Sequence, residues 1–131
     1  MMTKKFLEHL KAHPNPVHRP LIIHIASCVS DIRNPFTSAF YQATKTSNKI
    51  FAHTTYYPQS HNVDYLIIKP GWVATNMTKK DVNSITTSVA EESSAILKSI
   101  GYTRDTYAHP KHLGMMFGIN ILPSPVYAAF V

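Results

Sequence analysis

The chain has 131 residues, of which 44% are hydrophobic and 15% charged, so it fits one small folded domain and is not a disordered tail. Its single cysteine, Cys28, excludes a disulfide framework and a four-cysteine zinc site. There are only 4 glycines, and none of them forms a nucleotide-cradling loop. The chain therefore does not contain a complete dinucleotide-binding domain or a P-loop.

The net charge of +6 is concentrated in the N-terminal part of the sequence. Residues 1–50 contain seven Lys and Arg against two acidic residues, and the rest of the chain contains six against five. The basic residues are scattered singly, apart from Lys4-Lys5 and Lys79-Lys80. A nucleic-acid-binding surface needs a basic stripe with interleaved aromatic residues. We therefore expect a solvated basic face and no nucleic-acid partner.

The first part of the chain has the pattern of helix, strand and helix. Residues 3–12 have the apolar spacing of an amphipathic helix rather than of a signal peptide, and Pro14 ends that helix. Residues 21–26 are an apolar run rich in β-branched residues, which predicts a strand buried on both faces. A polar loop over 27–37 then leads to a predicted helix over 38–57. The packing positions of that helix are near helical spacing: Phe40, Ala43, Ser47, Ile50, Phe51 and Thr54.

Two further strands are predicted in the second half of the chain. They cover residues 63–68, where Pro70-Gly71 ends the run, and residues 105–109. Predicted helices separate them from each other and from the strand at 21–26. This alternation predicts an α/β fold in which about three parallel strands are joined by right-handed crossovers.

The helix between these two strands has clear end signals. Ser88 and Glu91 form a capping box at its start, and Gly101 lies in the C-cap place after Ile100. We interpret Glu91 and Glu92 as capping or solvated charges.

Two histidine pairs have the spacing that metal ligands take on a helix. They are His9/His13 and His109/His112. Since no carboxylate partner is evident beside either pair and prolines adjoin His13 and His109, we interpret them as surface histidines and expect no metal site.

The last 19 residues, 113–131, carry no charge. This length approaches that of a membrane span, but Pro123 and Pro125 oppose a helix exposed to lipid. We interpret 113–131 as a buried, uncharged apolar C-terminal arm that follows a domain over 1–112. The alternative is a segment that contacts or dips into a membrane.

Tyr41 and Lys45 are four residues apart on a predicted helix, so they share one face with Cβ atoms about 6 Å apart. A neighbouring cation stabilises the phenolate form, and such a tyrosine can exchange a proton with a carbonyl oxygen or an alcohol. The chain contains this spacing twice more, once on a predicted strand and once across a proline: Tyr65/Lys69 and Tyr107/Lys111. Only the first pair therefore lies on a plausible helix.

Hydroxyl groups follow both of the first two predicted strands. Ser27 directly follows the strand at 21–26, 14 residues before Tyr41. The second strand ends in Pro70-Gly71-Trp72-Val73-Ala74-Thr75, a turn that exposes backbone groups beside a threonine. The carboxyl ends of parallel strands are where α/β folds place groups that contact ligands.

The order strand, Ser27, loop, Tyr41-x-x-x-Lys45, strand, Pro70-Gly71-x-x-x-Thr75 resembles the C-terminal half of the short-chain dehydrogenase/reductase family. The resemblance implies half of a Rossmann-type, doubly wound parallel sheet and an NADPH- or NADH-dependent oxidoreductase. It implies that Tyr41 is the catalytic acid/base, that Lys45 supports it and contacts the nicotinamide ribose, and that Ser27 holds the substrate oxygen. The cofactor contacts it implies are Tyr41, Lys45, Pro70, Gly71, Val73 and Thr75.

Other segments resemble the branch of 17β-hydroxysteroid dehydrogenases and very-long-chain 3-oxoacyl-CoA reductases. These segments are Val73-Ala74-Thr75-Asn76-Met77, Ser94-Ala95 with Ile100-Gly101, Tyr107 with His109, and Ile121-Leu122-Pro123-Ser124 with Tyr127. The branch implies a 3-oxoacyl-CoA or steroid-like ketone substrate, a role in lipid metabolism and fatty acid elongation, and a place at the endoplasmic reticulum membrane. A cytoplasmic location is the alternative.

The family's glycine-rich TGxxxGxG turn, its NNAG strand and its active-site asparagine have no counterpart in this chain. We therefore expect the N-terminal cofactor-binding half to be absent and the strand at 21–26 to form an open sheet edge. Two hypotheses follow. One is a truncated reductase, and the other is a catalytically inactive remnant that associates with a full-length relative. In both, the expected oligomer surface is formed by helices 3–12 and 38–57.

Overall fold

The computed structural model describes residues 2–12, 17–32, 39–56 and 62–122. In these ranges the α-helices are α1 (Met2–Lys11), α2 (Ala39–Tyr56), α3 (Val89–Ser99) and α4 (Pro110–Ile121). The strands are β1 (Leu21–Ile25), β2 (Asp64–Ile68), β3 (Trp72–Val73), β4 (Thr86–Thr87) and β5 (Asp105–Thr106), and a 3₁₀ helix covers Cys28–Asp31. Some sequence predictions lie outside the described residues: the helix end at Pro14, His13, the loop at 33–37 and the part of the C-terminal arm after residue 122.

The main sheet has three parallel strands in the order β1-β2-β5. β1 pairs along its whole length with β2, from Leu21 opposite Asp64 to Ile25 opposite Ile68. β5 pairs with the other side of β2, starting with Asp105 opposite Ile67. Since α2 lies between β1 and β2 in the chain and α3 lies between β2 and β5, the prediction of an α/β fold with a small parallel sheet is confirmed.

Helices α1 and α2 pack on one face of this sheet. The buried cluster between them consists of Leu7, Ala26, Ala52, Val63, Tyr65 and Ile67, with Leu10 and Ile22 packed against it. Ala52 is fully buried, and its small side chain lets α2 lie close to the strands. Through Ala52 this cluster holds the C-terminal half of α2 against the sheet, and the first turns of the helix lie at the carboxyl end of β1, where two of the predicted site residues lie.

β1 forms one edge of the sheet, and one of its faces is open. The prediction that residues 21–26 are buried on both faces is wrong, because Ile23 and Ile25 are 40% and 46% exposed. On the same face of β2, Leu66 and Ile68 are fully buried. The difference arises because the described residues that pack on this face cover β2 and leave the edge strand β1 exposed.

The ends of α3 are as predicted. Ser88 Oγ accepts a hydrogen bond from the backbone N–H of Glu91, and the Glu91 carboxylate accepts one from the backbone N–H of Ser88. Gly101 follows the C-cap Ile100 with φ of +82°, in the left-handed region that favours glycine.

α2 exposes most of the face that its sequence suggests should be packed, since Phe51 alone among the six predicted packing positions is partly buried. Phe40 and Ile50 are exposed, although both were placed on the packing positions of this helix. The side of α2 that meets the sheet instead carries polar residues, among them Gln42, Lys45 and Asn48, which bond to backbone carbonyl groups. Apolar spacing alone does not identify such a face.

Four elements were not predicted from the sequence. The 3₁₀ helix begins within the predicted loop, and β3 and β4 form a separate parallel pair with Trp72 opposite Thr86. α4 follows the short strand β5 after residues 107–109, with Pro110 at its first turn and His109 as its N-cap. Each of the two extra strands has only two residues, which is too short for a periodic signal.

α4 contains the start of the uncharged stretch at 113–131, and it is not uniformly buried. Met116 is buried, whereas Leu113, Phe117 and Ile121 are exposed along one side of the helix. Among the helices of the described ranges, none has the length and apolar character that a membrane crossing requires.

Candidate functional site

A cleft of about 460 Å³ opens at the carboxyl ends of β1 and β2. Its walls come from the 3₁₀ helix, the start of α2, the segment after β2 and one side of α4. The described residues that line it are Ser27, Cys28, Val29, Ile32, Tyr41, Gly71, Trp72, Met77, Thr78, Met115 and Ile119. Most of these side chains are apolar, so the cleft suits an apolar ligand and offers a small number of hydroxyl groups.

Ser27 is buried at the point where β1 ends and the 3₁₀ helix begins. As N-cap of that helix, its Oγ accepts a hydrogen bond from the backbone N–H of Val29 at 3.5 Å. The same hydroxyl donates to the carbonyl of Pro70 at 3.5 Å, and the N–H of Cys28 donates to that carbonyl at 2.9 Å. These bonds join the segments that follow β1 and β2, and they hold the Ser27 hydroxyl in the cleft wall.

Tyr41 and Lys45 both lie on α2, one turn apart, as their spacing predicts. Tyr41 is partly exposed and lines the cleft. The Lys45 ammonium lies 5.7 Å from the centre of the Tyr41 ring and donates to the carbonyl of Ile25 at 3.3 Å. Asn48 Nδ2 donates to the same carbonyl at 3.1 Å. The end of β1 thus holds the ammonium beside the phenol ring.

Gln42 positions the start of α2, a role that the sequence did not indicate. Its Nε2 donates to the carbonyl of Val29 at 3.1 Å and to the carbonyl of Ile32 at 2.7 Å. Both carbonyls belong to the 3₁₀ helix or its C-cap. This glutamine therefore fixes the helix that carries Tyr41 against the segment that carries Ser27.

The predicted site residues fall into two groups. Ser27, Tyr41 and Gly71 line the same cleft, and Pro70 is bonded to Ser27. The second group consists of Lys45, Val73 and Thr75, which are not among the described residues that line the cleft.

Two residues of the second group, Val73 and Thr75, lie at the end of β3 and in the short turn that follows it. The Val73 carbonyl accepts a hydrogen bond from Thr78 Oγ1 at 2.6 Å, and the Thr75 and Thr78 hydroxyls lie 3.3 Å apart. Thr75 is exposed, and its N–H also bonds to Thr78 Oγ1. Thr78 therefore holds the turn that contains Thr75, a residue for which the family resemblance implies a cofactor contact.

Gly71 lies where a side chain would collide with α4. An added Cβ would be 2.6 Å from His112 Cδ2 and 3.0 Å from Met115 Cε. We expect Gly71→Ala to lower the free energy of unfolding by about 1 kcal/mol, at the low end of overpacking costs because this segment is only half-buried and can shift. Chemical denaturation measures the effect. Gly114→Ala, at a position with open space around it, is the control, and equal stabilities of the Gly71→Ala variant and the wild type would contradict the expectation.

An ionic network centred on the buried Lys69 lies beside the cleft, and the sequence did not indicate it. The Lys69 ammonium lies 2.8 Å from Asp31 Oδ2 and 2.5 Å from Asp105 Oδ1. Lys49 also pairs with Asp31, and Tyr107 OH donates to Asp31 at 2.7 Å. Lys69 is 8% exposed, and its ammonium joins the segment after β2 to the 3₁₀ helix through Asp31 and to β5 through Asp105.

The electrostatics of the network follow from these contacts. Burial raises the pKa of Asp31, but the hydrogen bonds from Lys49, Lys69 and Tyr107 outweigh it and lower that pKa to about 2. Burial lowers the pKa of Lys69, but its bonds to Asp105 and Asp31 outweigh this and raise it. Burial and the bond to Asp31 raise the pKa of Tyr107. A lysine directly after an apolar strand, beside an acidic residue that opens the neighbouring strand, is the signal that could have indicated the pair.

His112 and Glu92 are a second buried pair, which corrects the interpretation of both as surface groups. His112 is 0% exposed and Glu92 is 5% exposed. His112 Nδ1 lies 3.2 Å from Glu92 Oε2, and His112 Nε2 lies 3.0 Å from the carbonyl oxygen of Trp72. The pair is buried because α3 and α4 both meet the small sheet of β3 and β4, an arrangement that helical spacing within α4 does not reveal.

Trp72 lies at the rim of the cleft with its ring partly exposed. The Lys80 ammonium lies 4.2 Å from the centre of the ring, which is a cation–π contact. Trp72 therefore forms part of the cleft wall.

No group of three or more His, Cys, Asp or Glu side chains in the described ranges is arranged to hold a metal ion. Comparisons of the chain with protein-family models, curated proteins and solved structures found no match.

Proposed function

We propose that this chain is an NAD(P)H-dependent oxidoreductase of short-chain type that reduces a ketone, either 3-oxoacyl-CoA or steroid-like, to an alcohol. One observation carries the proposal. The Ser27 hydroxyl and the Tyr41 phenol line the same apolar cleft at the carboxyl ends of two parallel strands, with the Lys45 ammonium one turn along α2.

The two hydroxyl groups have complementary roles in this reaction. Tyr41 gives its proton to the carbonyl oxygen, and Lys45 stabilises the phenolate that remains. Ser27 donates a hydrogen bond to the same oxygen as negative charge develops there. Its present bond to the Pro70 carbonyl is long, at 3.5 Å, so little is lost when the hydroxyl turns toward a substrate.

The described residues fit the nicotinamide end of the proposed cofactor, which when bound supplies the hydride. Gly71 lines the cleft, so a planar carboxamide bound there would meet its backbone. Lys45, Val73 and Thr75, which are not among the described residues that line the cleft, would hold the ribose and the carboxamide. The sequence provides no glycine-rich turn for the pyrophosphate, so these contacts concern only the nicotinamide end.

The lining supports an apolar ketone as substrate. Ile32, Met77, Met115 and Ile119 form an apolar surface around the two hydroxyl groups. The cleft volume of about 460 Å³ lies within the range of small-molecule sites, about 300–1,000 Å³.

The exposed side of α4 supports the proposed contact with a membrane surface. Leu113, Phe117 and Ile121 are four residues apart and exposed on the same side of the helix. Such a stripe can lie in the interface of a membrane, which agrees with a place at the endoplasmic reticulum membrane. A cytoplasmic location is the alternative.

A second candidate function is that of a non-catalytic partner of a full-length relative. Exposed apolar residues on the two helices expected to form an oligomer surface support it: Phe6 on α1, and Phe40 and Ile50 on α2. β1 is the edge strand of the sheet that the described residues form, and its Ile23 and Ile25 side chains are a further exposed apolar surface.

An NADPH titration of the purified chain, followed by nucleotide fluorescence, tests the proposal. We expect saturable binding that Lys45→Ala weakens about tenfold, the loss of one charged contact. Tyr41→Phe should keep the binding but lower ketone turnover at least about 100-fold. Tyr102→Phe and Lys98→Ala, at exposed positions, are the matched controls. Absence of binding up to millimolar NADPH would contradict an enzyme formed by this chain alone and would favour the non-catalytic partner.

A further inference from the structure

The two strands beside the cleft are joined to α3 and α4 through one buried cluster. His112 of α4 contacts the Trp72 carbonyl of β3 with Nε2 and the Glu92 carboxylate of α3 with Nδ1. Thr87 of β4 completes the cluster, because its Oγ1 lies 3.4 Å from both Glu92 Oε2 and the Trp72 carbonyl. The cluster thus joins β3, β4, α3 and α4 around His112.

The protonation state of His112 decides how many of these contacts can be made. Both ring nitrogens face oxygen acceptors, one a carbonyl and the other a carboxylate. The imidazolium donates from both nitrogens, whereas a neutral imidazole has a single N–H. Because a carboxylate is a stronger acceptor than a carbonyl, the neutral ring keeps its proton on Nδ1 toward Glu92, and Nε2 then turns a lone pair toward the Trp72 carbonyl. Burial lowers the pKa of His112, but the bonds to Glu92 and the Trp72 carbonyl outweigh it and raise that pKa above its ordinary value.

The other groups around His112 leave Glu92 as the dominant charge. On its own helix, the His109 ring centre lies 6.1 Å away, and the backbone of Tyr107 approaches from the segment after β5. β3 and β4 present a carbonyl and the Thr87 hydroxyl, neither of which titrates in this range. The next acidic residue of α3, Glu91, faces Lys111 instead, at 3.6 Å.

The segment that His112 holds is part of the cleft wall. Gly71 and Trp72 both line the cleft, and Gly71 lies so close to the imidazole that an added Cβ would be 2.6 Å from it. A change in the His112 contacts therefore acts on Gly71–Val73 directly. We propose that His112 and Glu92 form a pH-sensitive latch that holds Gly71–Val73 against α4 while His112 is protonated and releases this segment when the proton is lost.

This latch does not depend on the proposed oxidoreductase function, because it concerns the position of the cleft wall in the free protein. It would control the access of any ligand to the cleft. The chain contains its own reporter for the event, since Trp72 is the single tryptophan in the sequence.

Tryptophan fluorescence of the unliganded chain, measured from about pH 5.5 to about pH 9, tests the latch. We expect one transition in the wild type with a midpoint above the ordinary histidine value of about 6.5. Glu92→Gln should lower the midpoint by about one unit or more, a tenfold change in proton affinity. His112→Gln should abolish the transition. His109→Asn, which keeps a capping side chain, and Glu91→Gln should leave the midpoint unchanged.

Two further measurements keep the test decisive. Far-UV circular dichroism over the same range should stay constant, because release of one segment leaves the helices intact. An NMR titration of the His112 ring in the wild-type chain gives its protonation directly, even if His112→Gln fails to fold. The latch is overturned if the ring titrates below about 6.5, if the wild-type fluorescence has no transition, or if the midpoint follows His109→Asn and not Glu92→Gln.

Discussion

Replacement of Lys69 by methionine is expected to lower the free energy of unfolding by about 3 kcal/mol. Lys69 is 8% exposed and pairs with both Asp31 and Asp105. Without the ammonium, two carboxylates remain close to each other in a poorly solvated place. Asp31 keeps Lys49 and the Tyr107 hydroxyl, whereas Asp105 keeps only its contact with His53 Nε2 at 3.0 Å among the partners that face its carboxylate in the described residues.

Urea denaturation of the wild type and the variant measures this loss. Lys98→Met on α3 is the control, because the same side chain is changed at an exposed position and about 0.5 kcal/mol or less is expected. Addition of Asp105→Asn to Lys69→Met should recover part of the stability, since it removes one of the two carboxylate charges that Lys69 neutralises. A loss below about 1 kcal/mol for Lys69→Met alone would contradict the view that the buried network stabilises the fold.

The network also connects the two segments that form the candidate site. Asp31 ends the 3₁₀ helix that begins at Ser27, and Lys69 directly precedes Pro70 and Gly71. Its ion pair therefore supports the same junction as the hydrogen bonds from Ser27 and Cys28 to the Pro70 carbonyl. The ion pair in the interior and the hydrogen bonds at the cleft therefore stabilise the same junction, between the segments that follow β1 and β2.

The sequence predicted those parts of the fold that have strong local signals. The apolar runs at 21–26 and 63–68 were long enough to identify β1 and β2, and the Ser88/Glu91 capping box marked the start of α3. Each signal depends on residues that are close in the chain. The alternation of these elements was then sufficient to predict a parallel sheet.

The parts that were missed depend on contacts between distant residues. β3 and β4 have two residues each and exist because they pair with each other, 14 positions apart from Trp72 to Thr86. The inner side of α2 is polar because it meets carbonyl groups of β1 and the 3₁₀ helix, so Phe40 and Ile50 remain exposed. No local pattern contains this information.

The sequence predicted those site residues whose positions depend on where the strands end. Ser27 and Gly71 follow parallel neighbouring strands, and Tyr41 faces them from α2, which the order of the elements already implied. Whether a side chain points into the cleft depends on tertiary packing. The Lys45 ammonium is bonded to the carbonyl of Ile25, and Thr75 lies in a turn organised by Thr78.

The stability of the chain in acid should depend on Asp31. Hydrogen bonds from Lys49, Lys69 and Tyr107, acting against burial, lower the pKa of this carboxyl from 3.8 to about 2. A carboxyl whose pKa is lower in the folded state stabilises the fold above its unfolded pKa and loses that contribution as the pH falls through the folded value. The shift corresponds to about 2 kcal/mol, present above about pH 4 and lost as the pH falls toward about 2.

Unfolding free energies at about pH 6 and about pH 2 for the wild type and Asp31→Asn measure this contribution. The wild type should lose about 2 kcal/mol more than the variant over this interval, because the amide of the variant has no proton to gain. Asp81→Asn, at an exposed position, should behave as the wild type does. Equal losses in the wild type and Asp31→Asn would mean that the carboxylate has the same proton affinity in the folded and unfolded chains. The contacts of Asp31 with Lys49, Lys69 and Tyr107 would then not stabilise its charge.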